Sequence, residues 1–445
     1  MARGNVGYLR TPTARDETVN QPVIGFVGMT HLGLVSGVSA AERGFTLICF
    51  DSDAQRIAAL QKGELPVSEP QLDELVAKNA VRLRFTHDAA ALKECDVIYV
   101  APDVPTDDQG CSDLNPINLL LDVVFEASRS DAVIVVLSQV PPGFTRSKQQ
   151  PGRILYYQVE TLIFGRAVER ALFPERHIIG CADPAEMLPE AFRRFLETHQ
   201  CPILPMRYES AELAKISINM CLVASVSTAN TLAELCEKIG ADWSEIVPAL
   251  RLDRRIGSYA YLTSGLGISG GNLERDMATV RRFAEIHGTD AGVVRAWLVN
   301  SEHRKRWPVR TLRAELVNGM KSAIVAVWGL AYKENTHSVK NSPSLLALSQ
   351  LHDIGVRLYD PVVPASVARH PQAVEAADPL EAATGADALM ILTPWPEFRS
   401  IAPGEIAKAM SGRLVIDPFS VLNEGAARAA GLRVVTLGRT TADIS

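Results

Sequence analysis

PVIGFVGMTHLGLVSGVSAAERGFTLICFD, running from Pro22 to Asp51, reads as strand, turn, helix and strand. Pro22–Val27 is apolar, Gly28 to Gly33 is a turn, Leu34 to Arg43 is a helix closed by Gly44, and Phe45–Phe50 is a second apolar run. Gly28-Met29-Thr30-His31-Leu32-Gly33 stands where a dinucleotide-binding G-x-G-x-x-G stands, after a strand and opening a helix. The helix start offers backbone N–H donors and a partial positive charge to a pyrophosphate. Asp51 ends the next strand, 23 residues past Gly28, where an acid bonds a ribose 2′-hydroxyl and favours NAD over NADP. One position departs from the pattern. Thr30 replaces the second glycine, and its Cβ either pushes a cofactor outward or shifts the loop, while its hydroxyl is able to bond a phosphate. Arg56, five residues past Asp51, either flanks an adenosine or is an ordinary surface arginine.

Further strand–helix units follow outward from this stretch. Cys95–Val100 is a short apolar run, and Ala132–Leu137 is wholly aliphatic, the pattern of a strand buried on both faces. Residues 208–305 differ. Ser210 is placed as an N-cap, and a helix rich in Ala, Ser and Thr runs from Ala211 to about Lys238 with Gly240 as its stop. Its small residues permit close helix contact, so it is expected to connect domains and to form a subunit interface. The first pattern then returns: strand Ser322–Trp328, a turn at Gly329, helix Ser344–Ile354, and strand Val356–Tyr359 ending at Asp360. ECDVIYVAP at 94–102 is echoed by GADALMILTP at 385–394. The expected fold is α/β, with two Rossmann-like doubly wound domains joined by a long central helix and a helical middle domain. The expected division is a flexible leader over 1–20, a dinucleotide domain over 21–207, a central helical domain over 208–310 and a second Rossmann-like domain over 311–445.

Composition narrows the function. Of 445 residues, 47% are apolar and 22% charged, and 45 basic against 51 acidic residues leave a net charge of −6. That balance argues against a general nucleic-acid binder. The seven cysteines are scattered without a C-x-x-C pair, and no histidine spacing marks a metal site. Cys221 and Cys236 read as small core residues. The first twenty residues lack the apolar core of a signal peptide, and no unbroken apolar run reaches the roughly 18 residues of a membrane span. A soluble cytoplasmic protein without a membrane partner is expected.

Lys215 and Asn219 lie four residues apart on one face of the long helix, a pairing able to polarise a hydroxyl or hold a developing oxyanion. Leu266 to Asn272 is a glycine-rich loop leading into Leu273-Glu274-Arg275-Asp276, and such a loop lets a substrate approach the backbone closely. With GELPVSEP (63–70), SQVPPGFT (138–145), VETLIFGRA (159–167), the helix at 211–242, RRIG (254–257), GISGGNLERD (267–276) and GLAYKENTHSVKNSP (329–343), the chain resembles the UDP-glucose/GDP-mannose dehydrogenase family from about Val23 to Gly438. The motifs agree in order and spacing.

The resemblance implies oxidation of the C6 alcohol of a nucleotide sugar, UDP- or GDP-linked, with NAD as cofactor. In the family this passes through an enzyme-bound thiohemiacetal and thioester. It implies acid/base and water-organising roles for Glu160, Lys215, Asn219 and Asp276. Cofactor contacts are implied for Gly28, Thr30, His31, Leu32, Gly33, Asp51, Arg56, Pro102, Gln139 and Lys340, and substrate contacts for Thr161, Leu162, Gly267, Gly270 and Lys333. Arg255 matches an arginine that reaches the sugar nucleotide of a neighbouring subunit, so a homodimer or higher homo-oligomer is implied. Three substitutions depart from the family. Gln139 replaces a threonine, Val159 replaces a proline, and Asn272 stands where the nucleophilic cysteine belongs. Asparagine forms no thioester. The expected reaction is therefore a two-electron hydride transfer. An epimerase with retained NAD and a non-catalytic nucleotide-sugar-binding homologue stay open as alternatives.

Overall fold

The computed structural model describes residues 21–107, 110–316 and 323–440. The leader expected over 1–20 and Ser322 of the expected strand lie outside the described residues. The chain divides into two compact units, one of Met1–Val104 and Leu114–Glu212, the other of Pro105–Asp113 and Leu213–Ser445.

The first unit carries β1 (Ile24–Val27), β2 (Leu47–Phe50), β3 (Leu83–Thr86), β4 (Val97–Val100), β5 (Val133–Val136), β6 (Ile154–Gln158), β7 (His177–Cys181) and β8 (Ile203–Arg207) in the order β3-β2-β1-β4-β5-β6-β7-β8. Strands β1, β4 and β5 are buried along their whole length, as their unbroken apolar runs require. Val27 pairs with both Phe50 and Val100, which brings Gly28, Asp51 and Ala101 to the same edge of the sheet. The sheet is not wholly parallel: β7 runs antiparallel to β6. Helix His31–Glu42 starts three residues before the expected Leu34. Thr30 is extended there, and its carbonyl already accepts the Leu34 N–H at 3.0 Å, so Thr30 caps the helix from inside the turn. Phe26 stacks on Tyr99 at 4.8 Å, and Phe195 packs edge-on against Tyr99.

The second unit carries β9 (Ile324–Trp328), β10 (Gly355–Tyr359), β11 (Ala373–Glu375), β12 (Ala388–Ile391), β13 (Leu414–Ile416) and β14 (Arg433–Val435) in the order β11-β10-β9-β12-β13-β14, all parallel. The two echoed stretches sit at the same topological position: β4 pairs with β1, and β12 pairs with β9. The helix expected over Ser344–Ile354 covers only Pro343–Ser349. Leu351 and Ile354 are fully buried, but they belong to tight turns bonded to Leu348 and Leu351, so their apolar spacing does not mark helix.

The long helix spans Tyr208–Ile239. It follows β8 without a loop, so Ser210 lies inside its first turn rather than at an N-cap. Gly240, at φ +78°, ends it as expected. Among the described residues it alone is long and apolar enough, by length and composition, to cross a membrane. Counting unbroken apolar runs misses this because Ser, Thr and Asn interrupt it. Ala211, Ile216, Val223, Ala229 and Ala233 are buried within the protein. Near its end, Glu234 and Glu237 face the fully buried Arg304 guanidinium at 3.1 and 3.6 Å. Helices Trp243–Leu252, Asn272–His287, Gly292–Lys305 and Trp307–Glu315 complete the middle of the chain.

Candidate active site

The strand–helix turn of the first unit explains its glycines. Gly28 has φ +94°, and a Cβ there would lie 2.8 Å from the Pro102 nitrogen; a Cβ on Gly33 would lie 2.0 Å from the Gly28 carbonyl. Thr30, in the place of the remaining glycine, has ordinary extended geometry. Its hydroxyl accepts the Asp103 N–H at 2.7 Å. The backbone N–H groups of His31 and Leu32 donate to the Asp103 carboxylate at 2.9 and 3.3 Å. Asp51 is buried, accepting from Met29 N–H at 2.7 Å, Asp53 N–H at 2.9 Å and Arg56 Nη1 at 2.8 Å. Arg56 therefore braces the strand-end acid. Pro102 is buried and its carbonyl receives the Ser138 hydroxyl, next to the half-buried Gln139. Glycine corners, helix-terminal donors and a strand-end acid fit a dinucleotide, with Asp103 on two of the donors.

Glu160, Thr161 and Leu162 follow β6 after the single residue Val159. Leu162 N–H donates to Glu160 Oε2 at 3.0 Å, and the Thr161 carbonyl accepts from Arg170 at 3.3 Å. The segment is held by a residue to which sequence reading gave no role. Glu69 is buried and accepts from Gly165 N–H at 3.0 Å, Ala167 N–H at 3.1 Å and, on the other side, the His31 ring at 2.8 Å. It lies in the stretch 63–70, but nothing local says that it is buried. Glu212 does a similar service, accepting from the N–H groups of Gly143 and Thr145 at 2.6 and 2.8 Å and so fixing the turn after Gln139. Burial raises the Glu212 carboxyl above its usual range. Behind Glu160 a small recess is lined by Gln158, His177, Tyr99, Ser39 and His199. Burial pushes His177 down to about 3 and His199 to about 4, so both rings are neutral.

In the second unit the structure brings Lys215, Asn219 and Asp276 together. Asn219 Nδ2 donates to Asp276 Oδ2 at 2.5 Å, and Arg275 Nε lies 3.4 Å from the other oxygen. Asp276 is 1% exposed. Burial raises its carboxyl above the usual range, while Arg275, the Asn219 hydrogen bond and Lys215 act in the opposite sense. Asn272 is the first residue of the helix that carries Asp276. The glycine-rich loop before it is sewn to the segment after β9: Gly270 N–H donates to the Lys340 carbonyl at 3.2 Å, and Asn341 Nδ2 donates to the Gly270 carbonyl at 3.2 Å. A Cβ on Gly270 would meet the Tyr332 ring at 2.9 Å, and one on Gly267 would meet the Ser301 carbonyl at 2.6 Å. Lys340 Nζ donates to the carbonyls of Thr106 and Asp107 at 2.8 and 3.1 Å. Lys333 lies over the Tyr332 ring. Arg255 is exposed and pairs with Asp253 of its own turn at 2.6 Å.

Three cysteines belong to this unit. Cys111 lies 3.9 Å from Arg282, ten residues down the helix from Asn272, or roughly 15 Å along its axis. Cys236 is buried against Trp243. Cys221, expected in a core, is instead exposed on the long helix, two residues past Asn219 and so on a different face.

A sheet of order 3-2-1-4 with a glycine-cornered turn and strand-end acid, followed by a second sheet of the same order, is the architecture of NAD-dependent nucleotide-sugar oxidoreductases. The chain matches three domains of one family: the NAD binding domain over 23–198, the central domain over 209–302 and the UDP binding domain over 326–424. It belongs to the UDP-glucose/GDP-mannose dehydrogenase family. It is 31% identical to UDP-glucose 6-dehydrogenase of Rhizobium meliloti over 94% of this chain and 99% of that protein. To the enzyme of the same name from Pseudomonas aeruginosa it is 32% identical, over 88% and 92% of the two chains. Its fold superposes on a UDP-glucose dehydrogenase structure from Pyrobaculum islandicum with a TM-score of 0.80 at 26% identity, covering 94% and 98% of the two chains. NAD is the cofactor of its first domain.

Proposed function

We propose that the chain oxidises the C6 alcohol of a UDP-linked sugar by a single hydride transfer and releases the aldehyde. The observation that carries this reading is Asn272 at the head of the helix bearing Asp276, with Cys111, Cys221 and Cys236 all directed elsewhere. Bound NAD supplies the hydride acceptor. Gly28, Gly33, Asp51 and the N–H groups of His31 and Leu32 would hold it, with Pro102 and Gln139 beside it, and the resemblance adds a cofactor contact from Lys340. Lys215 and Asn219 polarise the C6 hydroxyl, and Asp276 takes its proton as the C–H bond breaks with its electron pair. Glu160 is the second acid/base group, flanked by Thr161 and Leu162. Gly267, Gly270 and Lys333 face the sugar nucleotide, and Arg255 serves the site of a second copy. The Asn272 amide cannot add to the aldehyde as a thiolate would, so the second oxidation lacks its covalent route. A reducing, cytoplasmic compartment suits seven unpaired cysteines.

The test is stoichiometry. Wild-type protein with UDP-glucose and NAD should form one NADH per sugar and an aldehyde that hydroxylamine traps. Asn272→Cys should form two NADH and a carboxylate. Two NADH per sugar from the wild type sinks the proposal. So does a product of unchanged mass formed without NADH, which is the signature of an epimerase.

A further inference from the structure

We propose that Asp103 is an internal occupant of the pyrophosphate seat, and that NAD binds only by displacing its carboxylate. The N–H groups of His31 and Leu32 are the first two of a twelve-residue helix. Such groups have no acceptor inside the helix, and an anion gains there from both the donors and the helix dipole. The two Asp103 carboxylate oxygens take those two donors, at 2.9 and 3.3 Å. The same residue is held from behind, its own N–H donating to the Thr30 hydroxyl at 2.7 Å. Thr30 is the departure from the glycine pattern, and a glycine there has no hydroxyl with which to hold the loop. The two residues form one device: threonine fixes the backbone of the loop after β4, and that backbone aims a carboxylate at the helix start.

A phosphate and a carboxylate cannot share these donors, because the donors are two and the charges repel. Asp103 is exposed, so leaving the seat breaks hydrogen bonds without unpacking a core. Asp103 is thus a determinant of cofactor affinity that acts specifically on ligands carrying the diphosphate.

The experiment is calorimetric titration of the full chain with NAD, ADP-ribose and adenosine. Wild type is compared with Asp103→Asn, Asp103→Ala and Thr30→Gly. Removing the carboxylate should lower the Kd for NAD and ADP-ribose about tenfold, the equivalent of ~1.4 kcal/mol, and leave the Kd for adenosine unchanged. Thr30→Gly should give part of the same gain, and the double variant should fall short of the sum of the two effects. Asp103→Asn is nearly isosteric and keeps the test valid where Asp103→Ala folds poorly. Equal ADP-ribose affinity in wild type and both Asp103 variants overturns the proposal, as does an equal gain for adenosine.

Discussion

Asp276 is held between opposing influences. Burial favours its neutral form, while Arg275, the Asn219 amide and Lys215 favour the carboxylate. Removing one of the stabilising partners must move the balance in a known direction. Asn219→Ala deletes the 2.5 Å hydrogen bond, so the Asp276 carboxyl should rise further. If Asp276 is the base, the acid limb of the kcat/KM profile moves to higher pH, with kcat lower by about 10²-fold, as for loss of one preorganised donor. An acid limb that stays in place rejects Asp276 as the base. The Lys215–Asn219 half of this cluster was legible in sequence, because a spacing of four on a helix is a geometric statement. Asp276 became a candidate only through family resemblance, since one acid among Glu274, Arg275 and Asp276 carries no mark of its burial. Asp103, Glu69 and Glu212 were not legible, because their partners lie tens of residues away along the chain.

At the scale of elements, sequence placed the strands well and the helix starts poorly. Apolar runs and glycine stops are local facts, and Gly44 and Gly240 both adopt positive φ at helix ends. Helix starts depend on what the preceding residue can cap. Thr30 begins a helix inside the expected turn, and β8 passes straight into the long helix. The burial of a turn at Leu351–Ile354 likewise mimicked helical spacing. One element carries a consequence for acid stability. His177 on β7 and His199 beyond the helix Glu190–Glu197 are held at about 3 and about 4, against 6.5 for a free imidazole. A lowered folded-state pKa gives stability that is present above 6.5 and lost as pH falls from there, because the unfolded chain takes up the protons first. The unfolding free energy read from urea titrations should therefore drop between about pH 6.5 and pH 4, by up to about 1.4 kcal/mol per pH unit for each site. Comparison with His177→Gln isolates the effect from buried carboxyls such as Glu212, whose raised pKa works the other way; parallel curves for the two proteins would reject it.

At the scale of the whole molecule, the repeated strand order was foreseen from the echo of 94–102 in 385–394. The grouping of the middle helices and residues 105–113 with the C-terminal sheet was not, because it rests on contacts far apart in the chain. The long helix leaves Leu213, Leu232, Leu235 and Ile239 between 40% and 64% exposed. We expect a second copy to cover this face. Light scattering should report a dimer for the wild type and a monomer for Leu232→Glu/Leu235→Glu, and a monomeric wild type contradicts the expectation. The short excursion at 105–113 bears on how this gene can be cut. Lys340 is anchored on the carbonyls of Thr106 and Asp107, so a fragment translated from codon 213 onward would emerge without a piece of its own body. A split version of the protein needs two breaks and a graft of those nine residues, or the missing peptide supplied in trans.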